Sequence, residues 1–159
     1  MKRPWNRTDQ PVYSIASRFE NRSNMHIISY VSAISMEPKL YACAVYKSTL
    51  TLELLQSSKT CVLQLLSCTQ ERLVPVLGKR SGYDFDKLTW LNQRHLLTEW
   101  NGFAVLKDAL AWIQLDLFQE VDTGGDHVLM IGRVVRWKNQ QPGTPLGLDQ
   151  LRGRGLIRG

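Results

Sequence analysis

Alternation of apolar and polar positions marks the first third of the chain as strand-forming. Residues 11–17 (PVYSIAS) alternate and read as a first strand, and NRSN at 21–24 supplies turn chemistry. Residues 25–35 (MHIISYVSAIS) form one long β-rich run, with Met25, Ile27, Ser29, Val31, Ala33 and Ser35 on one face and His26, Ile28, Tyr30, Ser32 and Ile34 on the other. Neither face is wholly apolar. EPK breaks the run, and 40–46 (LYACAVY) is the next strand. The period then lengthens: over 47–58, Leu50, Leu54 and Leu55 share a helical face, with Thr49 as N-cap. Residues 60–66 return to strand. A helix starts at Thr69 and is cut short or kinked by Pro75. Residues 79–97 read as loop with a short helix near 86–91.

The last third is β again. A short strand at 102–106 precedes 109–121, where Ala111, Ile113, Leu115 and Leu117 oppose Gln114 and Asp116. TGGD (123–126) is a hairpin turn, with Asp126 expected to orient it, and 127–137 is the returning strand. His127 opens that strand and shares a face with Leu129, Ile131 and Val135, which the pattern directs to the core. Residues 148–159 read as a polar, basic tail, helical in part. With no repeat or linker, the chain reads as a single domain, 1–159, with basic tails at 1–10 and 148–159. About six strands, two or three flanking helices and no βαβ rhythm predict a mainly β fold: a Greek-key or up-and-down barrel decorated with helices.

Composition narrows the function classes. Hydrophobic residues make up 43% of the 159, enough for a real core and too many for a disordered chain. There is no apolar run of roughly 18 residues to span a membrane, and MKRPWNRTDQP lacks the apolar stretch of a signal peptide. A soluble cytoplasmic protein is expected. The net charge of +6 invites nucleic acid, but much of it lies at the ends, in Lys2, Arg3 and Arg7 and in Arg152, Arg154 and Arg158. The five tryptophans, Trp5, Trp90, Trp100, Trp112 and Trp137, are dispersed without interleaved basic residues, so a β-barrel nucleic-acid binder is disfavoured. The basic ends can instead attract a phosphate-bearing cofactor or partner. Cys43, Cys61 and Cys68 lie in or beside apolar runs and read as reduced core thiols. The scattered His26, His95 and His127 argue against a structural zinc site.

Three stretches carry candidate chemistry. In VYKSTLT (45–51) a strand ends, a lysine and three hydroxyls follow, and a helix begins; Lys47, Ser48, Thr49 and Thr51 either form a phosphate site or merely cap the helix. The 25–35 run either lines a slot for a flat heterocycle, through backbone N–H groups and Ser29, Ser32 or Ser35, or is a partly solvated edge strand. His127 is either incidental to the hairpin or held over a ligand, where it can donate a hydrogen bond or a positive charge near neutral pH. No nucleophile–base triad or carboxylate pair stands out.

Taken together, these stretches resemble the flavin reductase family, FMN-binding split barrels that use NADH or NADPH. Asn24, Ser29, Ile34-Ser35 and Pro38 fall in the frame of the family's Asn-Gly-Met-Thr-x-Ser stretch and its later Val-Ser and Pro-Pro. KSTLTLELL, with Thr51 and Leu54, fits its hydroxyl-rich turn and helix start. Ser81-Gly82 and Asp86-Lys87 match a second segment, and Gly125-Asp126-His127 with Gly132 and Val134 match its Gly-Asp-His strand. Pro145-Leu146 matches a trailing Pro-Leu, so the pieces span roughly 11–150. Met25 and Ile27 stand where the family has Gly and Thr, one proline replaces the pair, and no aromatic follows residue 146. The resemblance implies an FMN-binding split barrel and a homodimer with FMN near the subunit interface. It implies cofactor contacts from Met25, His26, Ile27, Ile28, Ser29, Ser32, Ala33, Ser35, Lys47, Ser48, Thr49 and Thr51. The implied reaction is hydride transfer from nicotinamide C4 to flavin N5. His127, held by the Gly124-Gly125 turn, is expected at the rim of the flavin site, as the catalytic residue that positions the nicotinamide or stabilises charge near the flavin. The alternative is an FMN-binding electron carrier that serves a protein redox partner and has little NAD(P)H activity.

Overall fold

The computed structural model describes residues 2–158. Seven strands form one antiparallel sheet in the order β2-β1-β5-β8-β9-β4-β3: β1 (Tyr13–Phe19), β2 (Arg22–Ile28), β3 (Val31–Ser35), β4 (Leu40–Tyr46), β5 (Thr60–Leu65), β8 (Ala111–Asp122) and β9 (His127–Asn139). A separate hairpin pairs β6 (Leu97–Trp100) with β7 (Phe103–Leu106). Among the described residues there are four α-helices: α1 (Leu50–Ser58), α2 (Val74–Lys79), α3 (Lys87–Asn92) and α4 (Leu148–Gly153). The fold is the mainly β split barrel expected. Among the described residues, no helix is long and apolar enough to cross a membrane.

The sheet has two apolar faces, and each builds a core. Inside the barrel, Ile15, Cys43, Val45, Leu63, Leu115 and Met130 pack with Leu52 and Leu55 of α1. On the other face of β1, β2 and β5, Ala16, Met25 and Val62 pack with Leu77 of α2, Leu91 of α3, the β7 residues Val105 and Leu106, and Leu151 of α4. Each fully buried leucine contributes roughly 1.5–3 kcal/mol, so both faces hold the helices firmly. Burial pushes the Cys43 thiol up to about 12 and raises that of Cys61, which keeps both as unreactive core thiols.

Several local expectations hold. Thr49 caps α1, its side chain accepting from the Leu52 N–H. Gly124, at φ +76°, lets the β8–β9 hairpin close where a side chain would be strained.

Others need correction. The 25–35 run is not one strand: it breaks at Ser29-Tyr30, so that β2 and β3 become opposite edges of the sheet. The barrel is split there, and the Tyr30 carbonyl, accepting from the Ala44 N–H at 2.9 Å, extends the β3–β4 pairing to the edge of the gap. Pro75 begins α2 rather than ending a helix, because at the first turn its missing N–H leaves no bond unmade. The preceding Cys68–Leu73 is a 3₁₀ turn opened by a Ser67–Gln70 capping box. β6 was not expected: it shares only Leu97 with the stretch read as loop and short helix and runs on to Trp100. The C-terminal stretch is not a solvated tail: besides α4, Leu156 and Ile157 pack on the outer core.

The largest correction concerns β9. Its inward face is Val128, Met130 and Val134, and His127, Leu129 and Ile131 lie on the outer face. Pairing with β4 sets this parity, matching Val45 to Val128 and Tyr46 to His127.

Candidate functional site

Two recesses meet along the open edge of β2 and share His26 and Tyr46. The first, about 130 Å³, is lined by strand residues: Ile15 of β1, His26, Ile27 and Ile28 of β2, Ser29 and Tyr30 at the split, Ala44, Val45 and Tyr46 of β4, and His127 of β9. The His127 ring lies 5.1 Å from that of Tyr30 and 5.4 Å from that of Tyr46, at steep angles. Its Nδ1 is 2.6 Å from Asp126 Oδ1, which leaves Nε2 as the nitrogen available to a ligand. That contact also holds the Asp126 carboxyl below the usual carboxylate range. Asp126 therefore orients the histidine. The turn is oriented by Asp122, which accepts from the Gly124 N–H at 2.9 Å, correcting the role expected for Asp126.

The second recess, about 300 Å³, is lined by Asn24, His26, Tyr46, Ser48, Thr49, Lys87 and the run from Gly78 to Gly82. It is rich in cations and hydroxyls: Lys79, Arg80 and Lys87, with Ser48 and Ser81. Thr49 lines it, but its hydroxyl is committed to the cap and to the Tyr46 carbonyl. The Gly82 backbone lies so close to Asn24 that a Cβ there would stand 2.7 Å from the amide, so the 80–86 loop approaches β2 only because residue 82 is glycine. Across this loop lies a larger cleft of about 570 Å³ that shares Asn24, Gly82 and Lys87. Its rim is fastened by Glu53, which accepts from Arg22 and from the Tyr83 hydroxyl, each at 2.6 Å.

His26 stands between the recesses. Burial, with the nearby charges of Lys87 and His127, pushes its imidazole down to about 4, so it is neutral at neutral pH.

Of the residues singled out in the sequence, His26, Ile27, Ile28, Ser29, Ser48, Thr49 and His127 line these recesses. Five other candidates do not reach either recess. Lys47 turns away to Asp122, at 2.9 Å, because the β8–β9 hairpin lies beside it and its own N–H donates to the Asp126 carbonyl. Thr51 is 0% exposed, its hydroxyl accepting from Asn24 Nδ2 at 3.0 Å. Ser32, Ala33 and Ser35 lie on the edge strand β3, which the interruption of the strand at Ser29-Tyr30 carries to the other edge of the sheet. A sixth, Met25, is wholly buried with its side chain in the outer core. Among the lining residues given no role in the sequence, Tyr30, Tyr46, Lys79 and Arg80 bring aromatic rings and charge. The basic pair immediately before Ser81-Gly82 was the available signal for the last two.

Comparisons with known proteins show the family. Residues 5–154 match the family described as flavin reductase like domain. A "Probable flavin reductase" of Rhizobium meliloti (strain 1021) is 26% identical over 128 residues, which are 80% of this chain and 36% of that protein; the chain therefore spans little more than a third of that relative's length. Among solved structures, flavin reductase PheA2 in its native state is similar, with a TM-score of 0.75 and 26% identity over 90% of this chain and 87% of that one. An FMN-binding protein from Thermus thermophilus, solved with 1-cyclohex-2-enone, shares the fold, with a TM-score of 0.78 and 23% identity over 91% of this chain and 82% of that one. This chain belongs to the flavin reductase like domain family.

Proposed function

We propose that the chain binds FMN in the joined recesses and reduces flavin with NADH or NADPH. The observation that carries this is their adjacency: a recess of cations and hydroxyls shares His26 and Tyr46 with a slot walled by apolar and aromatic side chains. A ligand with a phosphate at one end and a flat ring at the other fits that arrangement. Ser48, Lys79, Arg80 and Ser81 would hold the phosphate. Ile27, Ile28 and Ser29, with the neutral His26, would bound the ring system; backbone N–H groups of the open β2 edge replace the hydroxyl that Ile27 lacks. When bound, FMN supplies the hydride acceptor at N5. The chain's part is to orient: His127, held by Asp126 with Nε2 free, would position the nicotinamide over the ring.

The site is open on the outer face of the sheet. Tyr30, Ile34, Val121 and Val135 are exposed there, and Leu129 and Ile131 are half-buried beside Ala44 and Ala42. A second copy laid on this face would cover the apolar residues and close the slot, which supports a homodimer as the functional unit.

The deciding experiment is anaerobic titration of FMN-loaded protein with NADH and with NADPH. Bleaching of the flavin absorbance by at least one nicotinamide is expected. Bound FMN that neither nicotinamide bleaches would leave an electron carrier dependent on another protein. Sedimentation of the same sample should give the mass of two chains, and tight FMN on a monomer would sink the dimer.

A further inference from the structure

Lys87 is 2% exposed, yet among the described residues no carboxylate pairs with it. Its Nζ donates to the Leu77 carbonyl at 3.0 Å, which uses one of the three donors of an ammonium. A buried cation with a single neutral partner is costly, and a methionine would fill much the same space without that cost. Lys87 nevertheless faces both the 300 Å³ recess and the larger cleft beyond the Gly82 loop.

The charged and titratable groups around it offer no counter-ion. From β2 come His26, neutral, and Arg22, paired with Glu53 of α1. The end of α2 contributes two more cations, Lys79 and Arg80, the latter over the Phe85 ring at 4.1 Å. β4 contributes Tyr46. In the 80–86 loop, Asp86 is committed to the N–H and hydroxyl of Thr89, at 2.9 and 2.6 Å, while Asp84 and Lys87 form no ion pair.

We propose that Lys87 is the residue that selects a phosphorylated flavin: the ligand's phosphate completes its buried ammonium, so that binding FMN takes up a proton and binding riboflavin does not. This rests on the groove being a flavin site. Without ligand, burial pushes the Lys87 ammonium down to about 8, so above that pH it is largely neutral. A phosphate dianion beside it restores the charge: the lysine amine takes one proton from solvent, and no other bond changes. The phosphate, with a second pKa of about 6, is already a dianion at pH 8, and His26, at about 4, stays neutral. Uptake at pH 8–9 therefore belongs to Lys87.

Isothermal titration with FMN and with riboflavin, in two buffers of different ionisation enthalpy, tests this. Wild type should take up about half a proton per FMN at pH 8 and roughly nine-tenths at pH 9, with affinity for FMN falling about tenfold per pH unit above that range. Riboflavin should show neither effect. Lys87→Met should abolish the uptake and weaken FMN about tenfold or more while leaving riboflavin unchanged. If that variant does not fold, Lys87→Arg serves in its place: its permanent charge should retain FMN with no uptake. Wild-type binding of FMN without uptake, or equal uptake with riboflavin, overturns the proposal, as does a folded Lys87→Met that binds FMN like wild type. Wild type that binds neither flavin refutes the groove as a flavin site, and the role of Lys87 with it.

Discussion

The two recesses share two side chains and little else. The larger draws on β2, a helix start, a helix end and a loop, and its cations and serine hydroxyls come from three separated segments: Ser48, Lys79–Ser81 and Lys87. The smaller is built almost wholly from positions on β1, β2, β4 and β9, and what it presents is fixed by strand register: Tyr46 faces outward because it pairs with His127, and that pairing brings the two rings to 5.4 Å. One end therefore selects by charge and the other by shape, and the difference can be probed one end at a time with FMN and riboflavin, which differ only by the phosphate.

The largest separation is expected at the charged end. Lys79→Ala combined with Arg80→Ala removes two cations from the phosphate's surroundings. Each charge-assisted contact is worth about 1.5–3 kcal/mol, so FMN should weaken by about a hundredfold or more. Riboflavin should bind the double variant as it binds wild type. Equal losses for both flavins, measured by fluorescence quenching, would mean that the pair supports the loop rather than the ligand.

Much of this contrast could not be seen in the sequence. Alternation placed most strands, and the local chemistry of Thr49 and Gly124 located a helix start and a hairpin, because caps and turns are decided by a few neighbouring residues. Non-local choices were hidden. Both faces of β9 carry apolar residues, so periodicity could not say whether His127 or Val128 looks inward; β4, some eighty residues earlier, decides it. The break at Ser29-Tyr30 takes β2 and β3 to opposite edges of the sheet, and no glycine or proline marks it. Thr51 sits in a hydroxyl-rich run that suits an anion, yet the first turn of α1 aims it at Asn24. Recognition of the family carried Ser81-Gly82 and Lys87 as motif pieces, but only the packing of α2 and α3 shows them facing the same recess as Ser48.

A smaller effect is expected at the aromatic end. His127→Ala removes a ring from the wall of the slot without touching the cation-rich recess. Loss of a positioning contact of about 1–2 kcal/mol should slow flavin reduction by NAD(P)H some five- to thirtyfold. FMN affinity and melting temperature should change little, since the side chain lies on the outer face and outside both cores. Stopped-flow reduction at the wild-type rate would reduce His127 to a neighbour of the hairpin.

The smallest effect sharpens the boundary between the charged end and what merely lies close to it in sequence. Lys47 directly precedes Ser48, and by sequence alone it is the cation best placed to hold a phosphate at the start of α1. In the fold it points the other way, to Asp122 on β8 at 2.9 Å, and that pair is open to solvent, with the aspartate side chain 71% exposed. Exposed ion pairs are worth about 0–1 kcal/mol. Lys47→Ala should therefore change FMN affinity by less than about twofold, within the range that long-range screening allows, and cost little stability. The same substitution at Arg80 should be felt strongly by FMN, though residue 80 is far from α1 in sequence. A tenfold loss of FMN, with riboflavin unchanged, in Lys47→Ala would mean that the lysine leaves Asp122 for the ligand, and the charged recess would then extend around the β4–α1 corner to the hairpin.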